Sequence, residues 1–131
     1  MKIQDFDTLF ESVRPEEVEA ALSRRHADGI NSFWLWHGDD AYPAINISVK
    51  GDIAHVHYFP GGDHPGFASI EDLPRPSPDE TTELFLSQNE GIWVPNDRLV
   101  QFSLASKAAQ QFSVSTEKPK CIDWYSLVVG E

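Results

Sequence analysis

YPAINISVKGDIAHVHYFPGGDHPGFAS, residues 42 to 69, contains the two segments of the chain whose alternation fixes a strand register without outside help. With Gly51-Asp52 as a two-residue loop, glycine first, the stretch reads as a β-hairpin with a type II′ turn, since glycine takes positive φ at no steric cost. That turn sets the pairs. Ile45 faces Tyr58, Ile47 faces Val56 and Val49 faces Ala54 on one side. Asn46 faces His57, Ser48 faces His55 and Lys50 faces Ile53 on the other. One side is apolar and the other mostly polar, so a slip by one residue would set isoleucines against histidines. Such a ribbon belongs to an antiparallel sheet covered on its apolar side and wet on the other.

The cover is sought on either side of the hairpin. Upstream, RPEEVEAALSRRH has proline suited to a first helical turn, acids near the positive end and bases near the negative end, so a helix is predicted from Pro15, ended by Asp28-Gly29. INSFWLWH at 30 to 37 is short, aromatic and apolar on both faces, which makes it a strand. It is either central in the sheet or exposes Trp34 and Trp36 as a contact surface. Phe6, Leu9 and Phe10 pack somewhere, in a conformation that their spacing leaves open.

Downstream, the prolines and glycines of PGGDHPGF demand a loop. It is not a phosphate cradle, because no Lys-Ser or Lys-Thr follows, no helix opens after it and Asp63 would repel phosphate. A short strand follows near Gly66–Ile70, then a proline-rich acidic excursion at 71 to 80. TTELFLS, GIWVP and RLVQF read as successive antiparallel strands. In SLASKAAQQFSV, Leu104, Ala105, Ala108, Ala109 and Phe112 recur at helical spacing behind Ser103 as N-cap, giving a helix near residues 103–113 whose small face docks closely on a sheet. CIDWYSLVV closes the chain as a strand. The expected fold class is α+β: a meandering antiparallel sheet of about six or seven strands with an N-terminal helix and this second helix, all in a single domain spanning residues 1–131.

Composition narrows function. Ten Lys and Arg against 21 Asp and Glu give a formal charge of −11, which opposes binding to nucleic acid or an anionic membrane and suits a basic partner. The N-terminus places acids where a secretory signal would be apolar, and no apolar run approaches a membrane span, so the chain is read as cytoplasmic. One cysteine, Cys121, excludes an internal disulfide and a cysteine-based zinc site. His55 and His57 share a strand face just before Asp63 and His64, a set that a metal-dependent enzyme would use, set against the plainer reading of polar residues on a wet face. No nucleophile motif accompanies them. The chain is therefore not read as an enzyme, and no cofactor is expected.

The order of the aromatic strand around Trp34-Leu35-Trp36, the hairpin ending in HYFPGG, the later Val94-Pro95, the helix with Ala105, Ala108 and Phe112, and then Pro119 and Trp124 resembles the first immunity family of bacterial polymorphic toxin systems. Glu117-Lys118 and Tyr125 depart from that pattern. The resemblance implies an α+β antitoxin, encoded beside a secreted toxin often of the deaminase superfamily, that binds and blocks it. A toxin acting on a polyanion needs a basic substrate site, which acids can mimic. The contacts so implied are turn acids beside apolar anchors: Trp34, Trp36, Asp39, Asp40, Asp63, Glu71 and Asp72. Pro119 and Trp124 are assigned to the core. The alternative classes are the histidine-based metal enzyme and an adaptor module for an unrelated partner.

Overall fold

The hairpin forms in the register its alternation dictates. A computed structural model describes residues 1–70 and 80–128. In chain order its strands are β1 (Lys2–Gln4), β2 (Leu9–Phe10), β3 (Ile30–Trp36), β4 (Ala44–Lys50), β5 (Ile53–Phe59), β6 (Phe67–Ser69), β7 (Thr81–Ser87), β8 (Glu90–Pro95), β9 (Val100–Gln101) and β10 (Trp124–Ser126). Its α-helices are α1 (Val18–Leu22) and α2 (Phe102–Val114). Ile47 pairs with Val56, Ile45 with Tyr58 and Ser48 with His55. Gly51 turns the chain at φ +60°, while Asp52 keeps an ordinary negative φ, the combination a type II′ turn requires.

From this hairpin the main sheet extends both ways, in the order β10-β6-β5-β4-β3-β1-β2, with β9 also pairing with β5. Every pairing is antiparallel. The residues around Phe6, Leu9 and Phe10, left open by their spacing, form the β1–β2 pair at one margin. Ile3 of that pair lies opposite Leu35 and inside the core.

Helix α2 lies on the Ile45, Ile47, Val56 face, as its alanines predict. Ala105, Ala108, Ala109 and Phe112 are fully buried, and the Phe112 ring meets Tyr58 at 6.4 Å. Small side chains let the helix backbone approach the sheet, and Phe112 fills the gap at its far end. The helix starts one residue before Ser103, with Gln101 as N-cap and no side-chain capping bond. The Phe102 N–H instead donates to the Asp52 carbonyl at 2.7 Å, so the hairpin turn itself seats the helix. Helix α1 is shorter than its charge pattern suggests: a single 3-10 turn at Pro15–Glu17 leads into the five residues Val18–Leu22. Arg25 ends it by donating to the Leu22 carbonyl at 2.6 Å, and Val18 and Leu22 complete the core beside α2.

Two strands leave the main sheet. β7 and β8 pair only with each other and fold back across the polar side of the hairpin. The meander is thus interrupted, because Leu84, Val94 and Leu99 bury against Ile53 on that side rather than extending the sheet sideways. The excursion at 71 to 80 falls, except for Glu80, outside the described residues.

Candidate functional site

The face opposite α2 is divided in two. At one end the β7–β8 hairpin closes it, so the side read from sequence as wet is buried there: Ser48 is inaccessible, and Ser32, Asn46 and His55 are nearly so. The polar groups of Ser32, Asn46 and Ser48 satisfy one another. Asn46 Nδ2 donates to Ser32 Oγ and to the Phe33 carbonyl at 3.2 Å each, and Ser48 Oγ donates to Asn46 Oδ1 at 3.3 Å. A buried polar layer costs little when its members are paired in this way. Beside it, Ser69 Oγ accepts from the Val56 N–H and donates to the Arg98 carbonyl at 2.7 Å, joining β5, β6 and the approach to β9. Burial pushes the His55 imidazole down to about 3, with smaller contributions from His57 and Arg98. It is therefore neutral at physiological pH.

At the other end the same face is open. Trp34 and Trp36 project from β3 at alternate positions, and with Tyr42, Ala41, Ala44 and Gln4 they line a cleft of about 340 Å³. Phe59 lies next to them, its ring 5.5 Å from Trp34 and 6.3 Å from Tyr42. His57 stacks on Phe59 at 3.9 Å and its Nε2–H donates to the Pro65 carbonyl at 2.8 Å, pinning the 60–66 loop beside the aromatic shelf. Burial lowers the His57 pKa, partly offset by that hydrogen bond. Gly62 brings the loop against the Tyr42 ring.

The chain leaves β3 at Trp36 and returns to β4 through a turn whose Asp39 and Asp40 are exposed and whose Ala41 and Tyr42 line the cleft. Asp39 meets Lys2 at 3.9 Å; Lys2 is the cross-strand neighbour of Trp36. Asp63 is exposed on the loop that packs against Tyr42. Five of the residues singled out from sequence, Trp34, Trp36, Asp39, Asp40 and Asp63, are thus grouped around one open half-face. Glu71 and Asp72 lie outside the described residues. Tyr42, Phe59 and Leu9 belong to the same surface and were missed. The register supplies the signal for two of them, since Leu9 pairs with Gln4, Gln4 with Trp34, and Phe59 with Ala44.

The histidines do not converge. His57 spends Nε2 on Pro65, His64 Nδ1 accepts the Gly66 N–H at 2.8 Å while its ring stacks on Phe67, and His55 is sealed beneath the small hairpin. Among the described residues, the group of three whose ligand atoms do approach one another is Asp5, Asp7 and His26. There the Arg24 guanidinium already pairs with Asp5 at 3.1 Å and with Asp7 at 3.6 Å. Asp5 Oδ1 accepts the N–H groups of Asp7 and Thr8, an arrangement that turns β1 into β2. This cluster is a structural tie.

The residues of the sequence pattern at 105 to 124 lie elsewhere and hold the scaffold. Ala105, Ala108 and Phe112 form the sheet-facing side of α2, and the Trp124 indole donates to the Pro119 carbonyl at 2.7 Å, locking the chain after the helix to β10. The family profile described as Immunity protein Imm1 matches residues 3–126. The chain belongs to this immunity protein family. A curated relative from Burkholderia cenocepacia (strain H111), named double-stranded DNA deaminase immunity protein, is 30% identical over 129 residues, covering 97% of this chain and all of the relative. As a member of the immunity family the protein has an antitoxin function, with a cognate toxin as partner. Among the described residues, no helix is long and apolar enough to cross a membrane.

Proposed function

We propose that this immunity protein neutralises a deaminase toxin in the cytoplasm of the producing cell by binding over a basic substrate site, with the open half-face around Trp34 and Trp36 as the contact surface. One observation carries the reading: an open cleft formed by the partly buried Trp34 and Trp36 with the exposed Tyr42 adjoins the exposed Asp39 and Asp40 in the chain, and the loop that meets Tyr42 carries the exposed Asp63. Interface energy concentrates in such aromatics when polar groups ring them. The relative named for a double-stranded DNA deaminase supports the choice of target class. A toxin that works on DNA must attract a polyanion, and a chain of charge −11 is steered to the same mouth. Blocking needs no reaction, so the protein acts by binding alone. The same charge works against nucleic acid or an anionic membrane as competing partners.

The test is co-expression with the toxin encoded beside it, followed by binding kinetics between about 50 and 500 mM salt, a range that shortens the Debye length roughly threefold. Reversing Asp39 and Asp40 to lysine slows association and flattens its salt dependence, while replacing Trp34 speeds dissociation. Association that ignores salt overturns the mimicry of a charged substrate. Absence of both binding and protection overturns the choice of partner.

A further inference from the structure

We infer that the Trp34–Trp36–Tyr42 cleft receives a single arginine side chain presented by the toxin, with the guanidinium lying on the aromatic faces and its charge met by Asp39 and Asp40. The inference rests on the contact surface proposed above and names what that surface recognises.

The first argument is chemical composition. Three aromatic rings line the cleft, and two consecutive carboxylates, Asp39 and Asp40, immediately precede Ala41 and Tyr42 of its lining. Aromatic faces attract cations, tryptophan most strongly. A leucine or phenylalanine from the partner would fill the same cleft but would bring no charge to complement the adjacent Asp39 and Asp40. A guanidinium satisfies both halves, because it stacks on rings and pairs with carboxylates through the same planar group. At about 340 Å³ the cleft is at the small end of ligand-sized cavities, matching a side chain rather than a helix.

The second argument is how the chain uses its own cations. Among the described residues, Arg24, Arg25, Arg98 and Lys118 each sit over a ring, at 3.9 to 5.1 Å, and those rings are Phe10, Phe102, Tyr125 and Phe67. None of the four lies in the cleft. Lys2, the cross-strand neighbour of Trp36, approaches Asp39 only to 3.9 Å, and the Asp39 side chain remains fully exposed. Among the described residues, none of these cations lies over the cleft rings, which leaves them to a cation from outside.

The experiment has two arms. In the first, the isotope-labelled wild-type chain is titrated with N- and C-blocked tetra-arginine while the indole N–H resonances are followed by NMR. Trp34 and Trp36 are expected to shift saturably, whereas Trp93 and Trp124 stay in place; blocked tetraglutamine moves none of them. Trp93, 67% exposed on the outer side of β8, is the control for indiscriminate adhesion. Equal shifts at Trp93, or none in the cleft, overturn the inference. In the second arm, toxin affinity is compared for W36F and W36L, both checked for a native melting transition. The phenylalanine variant should bind within about threefold of wild type, and the leucine variant at least about tenfold more weakly. Equal affinities would mean an apolar plug and would likewise overturn it. Tetra-arginine binding in the cleft by a chain that fails to bind the toxin at all would leave the receptor site standing and remove the proposed target instead.

Discussion

On one side of the central hairpin, Ile45, Ile47 and Val56 meet the alanines and Phe112 of α2, and water is excluded throughout. On the other, the same strands carry Asn46, Ser48 and His55, all buried, while the neighbouring strand β3 carries Trp34 and Trp36, which are only partly buried. The first side is held by shape and the second by matched hydrogen bonds, and the second is the side on which the proposed contact surface lies. An immunity protein needs both: a core that tolerates sequence change around its binding face, and a binding face not consumed by folding. The boundary between them is the reach of β7–β8, whose Leu84 and Val94 pack with Leu99 against Ile53 at the turn end of the hairpin.

The comparison can be broken most forcefully from the closed side. Phe112→Ala removes a fully buried ring next to Tyr58 and His37, and should cost about 3–5 kcal/mol in chemical denaturation. Toxin affinity per folded molecule should stay near wild type, and a large loss in that fraction would mean that the two sides are not separable. The covered polar end is probed by pH. His55 takes up its proton at about 3 in the folded chain and near the ordinary 6.5 when unfolded. The unfolded state therefore binds more protons between those values, and the stability held above 6.5 is lost progressively as pH falls towards 3. At pH 5 this amounts to about 2 kcal/mol from His55. His55→Gln should reduce the drop in melting temperature between pH 7.5 and pH 5, and an unchanged slope would show that the histidine is not sealed as described.

Smaller effects test the seams. His37, at the end of β3, donates through Nε2 to the Phe112 carbonyl at 2.8 Å, linking the cleft strand to the last turn of α2. His37→Phe should cost on the order of 1 kcal/mol in thermal unfolding. Asp39→Asn with Asp40→Asn should change stability by less than about 0.5 kcal/mol, since both are exposed, while slowing toxin association at low salt. A stability change larger than the change in association would place these acids in the fold rather than at the interface.

What was legible in the sequence followed from local rules. The β4–β5 register came from alternation and a glycine turn, and the α2 face from alanines at helical spacing, because each was decided by residues close together in the chain. The grouping of Trp34, Trp36, Asp39 and Asp40 was legible for the same reason: a strand and its following turn cannot separate them far. The small hairpin crossing the polar face was not legible. TTELFLS and GIWVP carry strand propensity that says nothing about which sheet they join, and burial of Asn46 and Ser48 depends on partners distant in sequence, such as Ser32. The β1–β2 pair escaped because its strands are three and two residues long, too short for any period to register. Tyr42 escaped as well, since it lies between β3 and β4 and is met by the 60–66 loop at Gly62, whereas Phe59 follows from the β4–β5 register.

The shortness of the outermost strands has a consequence for behaviour at high concentration. A broad antiparallel sheet ending in long bare strands is a template on which further copies can stack into filaments. Here the margins are β2, two residues long, and β10, three residues long, and the Arg98 charge lies over Tyr125 of the latter at 4.9 Å. Neither margin of the main sheet offers enough consecutive backbone groups to recruit another chain, so stacking of copies would have to start from the longer edges of β7 and β8.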